Sequence, residues 1–261
     1  MGSVYHDLGR YEKAQEYAEA GLELANRVKD ASGRVAVLNN LGNIQSSLGK
    51  PLNAVELYDK ALTSAQEKGD PTEEVNVLGN LGGAYRELGA YQRALNCLNK
   101  GLEISEQSQD RAAECQVLLN LANVHSDLEQ DDQAIDCYER CLAIAREIKD
   151  PLTESEALCD LAATLVYLKQ IPEAMQCYEA SLKVCQRIGN AYTAAVVYKN
   201  LADIATFNGL PNAAEEFRQE ALKLARELEL PFAKEWEKSG VIKTKRGCSP
   251  FSLFLKLVGK G

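Results

Sequence analysis

The sequence contains little of the material from which catalytic and metal sites are usually built. Its 261 residues include only two histidines, His6 and His125, and no two cysteines separated by two residues. These counts exclude a zinc site with the usual ligand spacings. The sequence also lacks a glycine-rich phosphate loop, a nucleophile elbow and a histidine pair. We therefore expect no enzymatic activity, no cofactor and no bound metal.

Basic residues are scarce over most of the chain. Residues 1–240 hold 24 lysines and arginines against 38 aspartates and glutamates, whereas residues 241–261 hold five basic residues and no acid. Nucleic-acid binding depends on cations that meet phosphates, so the acidic body disfavours a nucleic-acid partner. A basic protein partner is favoured instead.

Long apolar runs are also missing. No hydrophobic stretch approaches the ~20 residues that a membrane-spanning helix needs, so we expect no stable membrane insertion. Of eight cysteines, Cys97, Cys137 and Cys177 recur at a spacing of 40 residues, and a free cysteine behaves there as a small buried hydrophobe. Reduced cysteines are typical of cytosolic proteins, so we predict a cytoplasmic location.

What the sequence does contain is a gapless repeat of 40 residues. The pattern Asn-Leu-Gly, or a close variant of it, begins at five equally spaced positions: Asn40, Asn80, Asn120, Asp160 and Asn200. An alanine recurs in the same register from Ala14 to Ala214. Such fidelity predicts one supersecondary unit stacked on copies of itself.

The register also predicts the boundaries of the units. Gly2 lies 40 residues before Gly42, which indicates that the chain begins inside a first helix. We predict a partial repeat, five full repeats, a capping helix and a basic-hydrophobic tail. In order, these cover residues 1–30, 31–70, 71–110, 111–150, 151–190, 191–230, 231–240 and 241–261. The tail could cap the last helix, contact a membrane or a partner, lie in the acidic groove, or form a disordered end.

Each full repeat is predicted to be a helix hairpin, which we describe as an A helix followed by a B helix. Asp70-Pro71 is typical of a helix start, with Glu73 closing a capping box. The same slot recurs at Asp30, Asp110, Asp150 and Asn190. Glycines are expected to end three A helices in the left-handed conformation, at Gly49, Gly89 and Gly209. We expect Gly42 to face Ala54 across its hairpin.

One unit carries Leu78, Leu81-Gly82, Tyr85, Ala94, Leu98 and Gly101. This pattern resembles the tetratricopeptide repeat (TPR) family over residues 1–230, and the resemblance implies an all-α, right-handed superhelical α-solenoid. The usual TPR unit has ~34 residues. The longer unit found here resembles the LGN/Pins class of mitotic-spindle adaptors, although kinesin light chain and bacterial sensors share it. The GoLoco segments of the LGN class are absent from the chain.

The resemblance implies a peptide-binding groove along the A helices. Its candidate residues are Asn40, Asn43, Asn80, Arg86, Glu87, Asn120, Asn123, Asp127, Asp160, Tyr167, Lys199, Asn200, Asp203 and Phe207, with Asn39, Ser46, Ser47, Gly79 and Gly83 at neighbouring groove positions. Side-chain amides donate and accept, which suits the backbone of an extended peptide. The asparagines could instead bond a neighbouring helix, the charged residues could be solvated, and the two aromatics could pack on the next unit.

The function that follows is a protein–protein interaction scaffold or adaptor, which binds a basic linear peptide or short helix of its partner. One alternative is a regulatory, peptide-sensing TPR domain of a larger signalling protein. Another is a chaperone-binding co-chaperone, whose carboxylate clamp requires lysines and an arginine. Asn39, Gly79 and Asn120 stand at clamp positions instead, so only the asparagines of that clamp fit.

Overall fold

The computed structural model describes residues 11–228, which contain eleven α-helices and no strand. They are α1 Tyr11–Val28, α2 Ala31–Ser47, α3 Pro51–Lys68, α4 Pro71–Glu87, α5 Tyr91–Ser108, α6 Arg111–Asp127, α7 Asp131–Ile148, α8 Pro151–Tyr167, α9 Ile171–Ile188, α10 Ala191–Phe207 and α11 Pro211–Glu227. The even-numbered helices are the A helices. This all-α helical-repeat solenoid confirms the predicted fold class. The predicted capping helix over 231–240, the tail over 241–261 and the first ten residues lie outside the described range.

The helix starts follow the predicted chemistry. The Asp70 carboxylate accepts a hydrogen bond from the backbone N–H of Glu73 at 3.2 Å, and equivalent bonds cap α2, α6, α8 and α10. These bonds confirm the predicted N-caps. The capping box is wrong, because the Glu73 carboxylate does not close back on its own helix. Lys68 reaches over from the end of α3 and takes Oε1 of Glu73 at 2.9 Å.

The ends of the A helices are also close to the prediction. Gly49, Gly89 and Gly209 have φ angles of 69°, 70° and 69°, which confirms their left-handed conformation. Glu129 and Lys169 adopt the same conformation at the equivalent positions. The repeat geometry therefore imposes this turn even where glycine, the residue that tolerates it best, is missing.

The chain divides into two compact units, residues 1–124 and 125–261. In the first unit, α2 packs on α1, α3 and α4, and α4 packs on α5. Small and large side chains alternate in its core, with Ala54 and Ala61 beside Tyr58 and Leu81. In the second unit, α8 packs on α7, α9 and α10, and α11 covers α10. Contacts between alternate helices, α2 with α4 and α8 with α10, join successive A helices directly.

The close approach of α2 and α3 depends on Gly42, but its neighbour differs from the prediction. A Cβ atom at Gly42 would lie 2.3 Å from the Tyr58 ring, and one at Gly82 would lie 2.5 Å from Leu98. The expectation that Gly42 faces Ala54 is therefore wrong. The Tyr58 side chain follows Ala54 by one turn and points back toward the N-terminus of its helix, so its ring covers the glycine.

Helix α2 was also expected to bury Leu48, which is 38% exposed because it follows the last residue of that helix. Within residues 11–228, no helix combines the length and the apolar character needed to cross a membrane.

Candidate functional site

The A helices of the first unit line two adjoining cavities of about 260 and 360 Å³. Both are bordered by Gly79, Asn80, Gln116 and Asn120. Further side chains of α2 and α4 complete the walls: Asn39, Asn76 and Val75 in the first cavity, and Asn43, Ser46, Ser47, Tyr58, Gly83 and Glu87 in the second. We call this surface the amide groove, since five asparagines and one glutamine dominate its walls.

Two of the groove asparagines bond the preceding A helix. The Asn80 Nδ2 group donates to Oδ1 of Asn39 at 2.9 Å, and the Asn120 Nδ2 group donates to the Gly79 carbonyl at 3.4 Å. The side chains thus link successive repeats, as the structural alternative predicted. Both residues remain partly exposed and line the cavities, so the same side chains can also face a ligand.

A second set of hydrogen bonds orients the deeper end of the groove. The Tyr58 hydroxyl donates to Oδ1 of Asn43 at 2.6 Å, and the Ser46 hydroxyl donates to Oε2 of Glu87 at 3.3 Å. Burial, followed by the nearby Glu87 carboxylate, raises the pKa of Tyr58 well above its usual value. Tyr58 is therefore a fixed neutral donor, and it leaves the Nδ2 group of Asn43 as the part able to donate to a ligand.

The predicted residues of the first unit do not all lie on these walls. Asn43, Asn80, Glu87 and Asn120 line the cavities, whereas Asn40, Arg86 and Asn123 are half-buried outside both linings. Sequence reasoning missed Asn76 and Gln116, which are exposed and line the groove. A signal was present, because each precedes a predicted asparagine, Asn80 or Asn120, by four residues and so shares its helix face.

The A helices of the second unit carry carboxylates where the first unit carries amides. Glu156 and Asp160 occupy the register positions of Asn76 and Asn80, and both are half-buried. Burial, followed by the Asp160 and Asp150 carboxylates, raises the pKa of Glu156 to about 7. This helix face therefore holds a carboxyl group that changes its charge near neutral pH.

Buried polar groups lie beneath this face. Tyr178 is fully buried, and burial raises the pKa of its hydroxyl well above the usual value. The amide of Asn200, itself 1% exposed, lies beside this hydroxyl and opposes the rise. Among the described residues, however, neither the hydroxyl nor the amide atoms reach hydrogen-bond geometry with a partner.

Lys199 and Asp203 form an ion pair at 3.1 Å inside the second unit. Lys199 is 1% exposed and Asp203 is 7% exposed, so the interpretation of these charges as solvated is wrong. The reason is their place on α10, which α8, α9 and α11 cover on several sides. Burial raises the pKa of Asp203, and Lys199 opposes that rise. A partner could not reach Lys199 or Asn200 in this arrangement.

The remaining predicted residues differ in exposure. Asp127 is 9% exposed, Tyr167 is half-buried and Phe207 is 47% exposed. Seven cysteines lie in the described range and all are free; burial raises the pKa of the Cys97, Cys137 and Cys177 thiols, which keeps them protonated. Within residues 11–228, no group of histidine, cysteine or acidic side chains is arranged to hold a metal ion.

Comparisons with known proteins agree with this architecture. The family model of the tetratricopeptide repeat matches residues 1–67, 34–107, 73–147, 112–187 and 153–227. No curated protein sequence gives a significant match to the chain.

Solved structures share the fold at low sequence identity. BtubC (BKLC) from P. vanneervenii is 19% identical with a TM-score of 0.69, over 90% of this chain and 95% of that one. A Rap protein complexed with the competence and sporulation factor is 13% identical with a TM-score of 0.71, over 100% and 74% of the two chains. Aspartyl phosphate phosphatase F from Bacillus subtilis is 16% identical with a TM-score of 0.67, over 83% and 57%.

Proposed function

Because the chain belongs to the tetratricopeptide repeat family, we propose that it is a cytosolic scaffold or adaptor without enzymatic activity. In this proposal, the amide groove holds a linear peptide or short helix of a partner protein. The observation that carries it is the row of amide side chains on three A helices around an open cavity. Each side-chain amide offers a donor and an acceptor, which matches the alternating groups of an extended backbone.

Exposure decides which groove residues would contact the partner first. Asn76 and Gln116 are exposed, and Asn43, Asn80 and Asn120 are half-buried with their polar ends at the cavities. We propose that the contact surface of the first unit also includes Asn40, Arg86, Glu87 and Asn123. In the second unit, Asp127, Asp160, Tyr167 and Phe207 remain proposed contacts, whereas the buried Lys199, Asn200 and Asp203 are left out.

The charge of the chain supports a basic partner segment. The formal net charge is -9, and among the residues that line the two cavities only Glu87 is charged. Opposite charges on the partner would speed association and be screened by salt. Binding is therefore expected to weaken as the salt concentration rises, and an affinity that stays unchanged would contradict a basic segment.

Affinity capture followed by charge reversal of the groove tests the proposal. The double variant Asn76→Arg/Gln116→Arg places two cations on exposed groove positions, and we expect the captured partner to bind at least ~10-fold more weakly. The matched control is Asn99→Arg, on an exposed position of α5 outside both cavity linings. If the partner binds the double variant as tightly as the control, the groove assignment is wrong.

A second candidate is a regulatory, peptide-sensing domain. The Rap protein complexed with the competence and sporulation factor shares the fold, which supports a role in which a bound segment changes the state of the repeats. Such a role predicts that the captured segment alters hydrogen exchange far from the amide groove, whereas a passive scaffold changes it only locally. The 40-residue repeat keeps the LGN/Pins class as our proposal for the subclass. The co-chaperone alternative predicts binding of acidic chaperone C-terminal peptides.

A further inference from the structure

We infer that Gly79 and Gly83 form the floor of a side-chain subsite in the amide groove, and that the subsite accepts an arginine of the partner segment. The inference rests on the proposed function and deepens it, because it names the side chain that the groove selects. It concerns the 360 Å³ cavity, which both glycines line.

Packing within the protein does not require these two glycines. A Cβ atom at Gly83 would meet no atom within 4 Å, and one at Gly79 would meet only the Asn120 amide at 3.6 Å. The neighbouring glycines behave differently, since a Cβ atom at Gly42 or Gly82 would collide with the facing B helix. The space above Gly79 and Gly83 is therefore open groove rather than a close helix contact.

The repeat does not require them either. The residues in the register of Gly79 are Asn39, Leu119, Cys159 and Lys199, and those in the register of Gly83 are Asn43, Asn123, Ala163 and Asp203. Larger residues are thus compatible with the same helix position. Glycine in a helix interior is unfavourable relative to alanine, so two of them one turn apart weaken α4 without any packing that explains them. A ligand side chain that occupies the space would explain them.

The walls of the cavity select the chemistry of that side chain. Side-chain oxygens of Asn43, Asn80, Gln116 and Asn120 surround the floor, and Glu87 supplies a carboxylate. Ser46 donates to Oε2 of Glu87, which leaves Oε1 for a ligand. The lining contains no basic residue. A planar cation with several fixed donors fits a ring of acceptors and one carboxylate better than a single ammonium does.

Fluorescence anisotropy with labelled hexa-arginine, hexa-lysine and hexa-citrulline peptides tests the subsite directly. We expect hexa-arginine to bind at least ~5-fold more tightly than hexa-lysine, and hexa-citrulline to bind weakest. Gly83→Ala and Gly83→Asn should each weaken hexa-arginine binding at least ~5-fold by filling the floor. Asparagine is the residue at the equivalent positions 43 and 123, so the fold accommodates it.

Stability separates a blocked subsite from a damaged fold. Gly83→Ala should raise Tm by about 2 °C, because alanine favours the helix and meets no neighbour. Gly101→Ala, on the B helix α5 and outside the cavity lining, is the matched control and should leave hexa-arginine binding unchanged. The inference is overturned if Gly83→Ala lowers Tm, if it leaves hexa-arginine binding unchanged, or if hexa-lysine binds equally well. If the captured partner still depends on Asn76 and Gln116 in that event, the proposed function stands and only the arginine subsite fails.

Discussion

Replacing Glu156 with glutamine should make the protein more stable at pH 8 and leave its stability nearly unchanged at pH 4. Burial and two nearby carboxylates raise the pKa of Glu156 from 4.5 to about 7 in the folded chain. The folded state therefore binds more protons than the unfolded state between these two values. Stability contributed by the protonated form is lost as pH rises through this window and is fully lost above it.

The size of the effect follows from the shift. Each pKa unit corresponds to about 1.4 kcal/mol, so the difference between 4.5 and 7 sets an upper limit of about 3 kcal/mol at pH 8. Glu156 is half-buried, and water screens part of its repulsion from Asp160. We therefore expect Glu156→Gln to raise the free energy of unfolding by about 1–3 kcal/mol at pH 8.

Urea unfolding followed by circular dichroism at several pH values measures this difference. Glu179→Gln, on an exposed position of α9, controls for the general loss of one negative charge. The expected result is a gain for Glu156→Gln that grows from pH 4.5 to pH 7 and then levels off. A gain that is the same at all pH values, or a loss at pH 8, would refute the reasoning about the buried carboxyl group.

Two further predictions use pairs of buried groups, and the unfolding midpoint in urea checks both. Tyr58→Phe removes the hydrogen bond to Asn43 and should cost about 0.5–1.5 kcal/mol, whereas Tyr178→Phe removes an unbonded buried hydroxyl and should be neutral or stabilising. Equal losses in the two variants would contradict this account. Lys199→Leu leaves the Asp203 carboxylate buried without its lysine and should cost about 3–5 kcal/mol. Adding Asp203→Ala should recover most of that loss, and a double variant no more stable than the single one would count against a buried ion pair.

The regular parts of the fold could be predicted because they depend on local chemistry. The caps at Asp70 and Gly49 require only a short side-chain acceptor and a residue that tolerates positive φ, and both requirements are visible in the sequence. The contact of Gly42 could not be read in the same way. Which side chain covers a glycine depends on the direction and reach of Tyr58, and spacing alone does not give them.

The candidate site was predictable only in part, for a similar reason. Periodicity identified the face that carries Asn80 and Asn120, but it did not extend the groove by one turn to Asn76 and Gln116. Lys199 was misread because a charged residue on a helix is usually solvated. A warning was nevertheless present, since α10 is rich in alanine and valine around its whole circumference and such helices are buried on most sides.

The direct contact between alternate helices has a consequence for how the chain opens. Helix α4 rests on α2 and α3 as well as on its own hairpin partner α5, so fraying α4 would strip apolar surface from three neighbours at once. Local opening should therefore spread along a unit rather than stay within one hairpin. A segment clasped by α2, α4 and α6 would fasten a whole group of helices at once, and its departure would loosen them together.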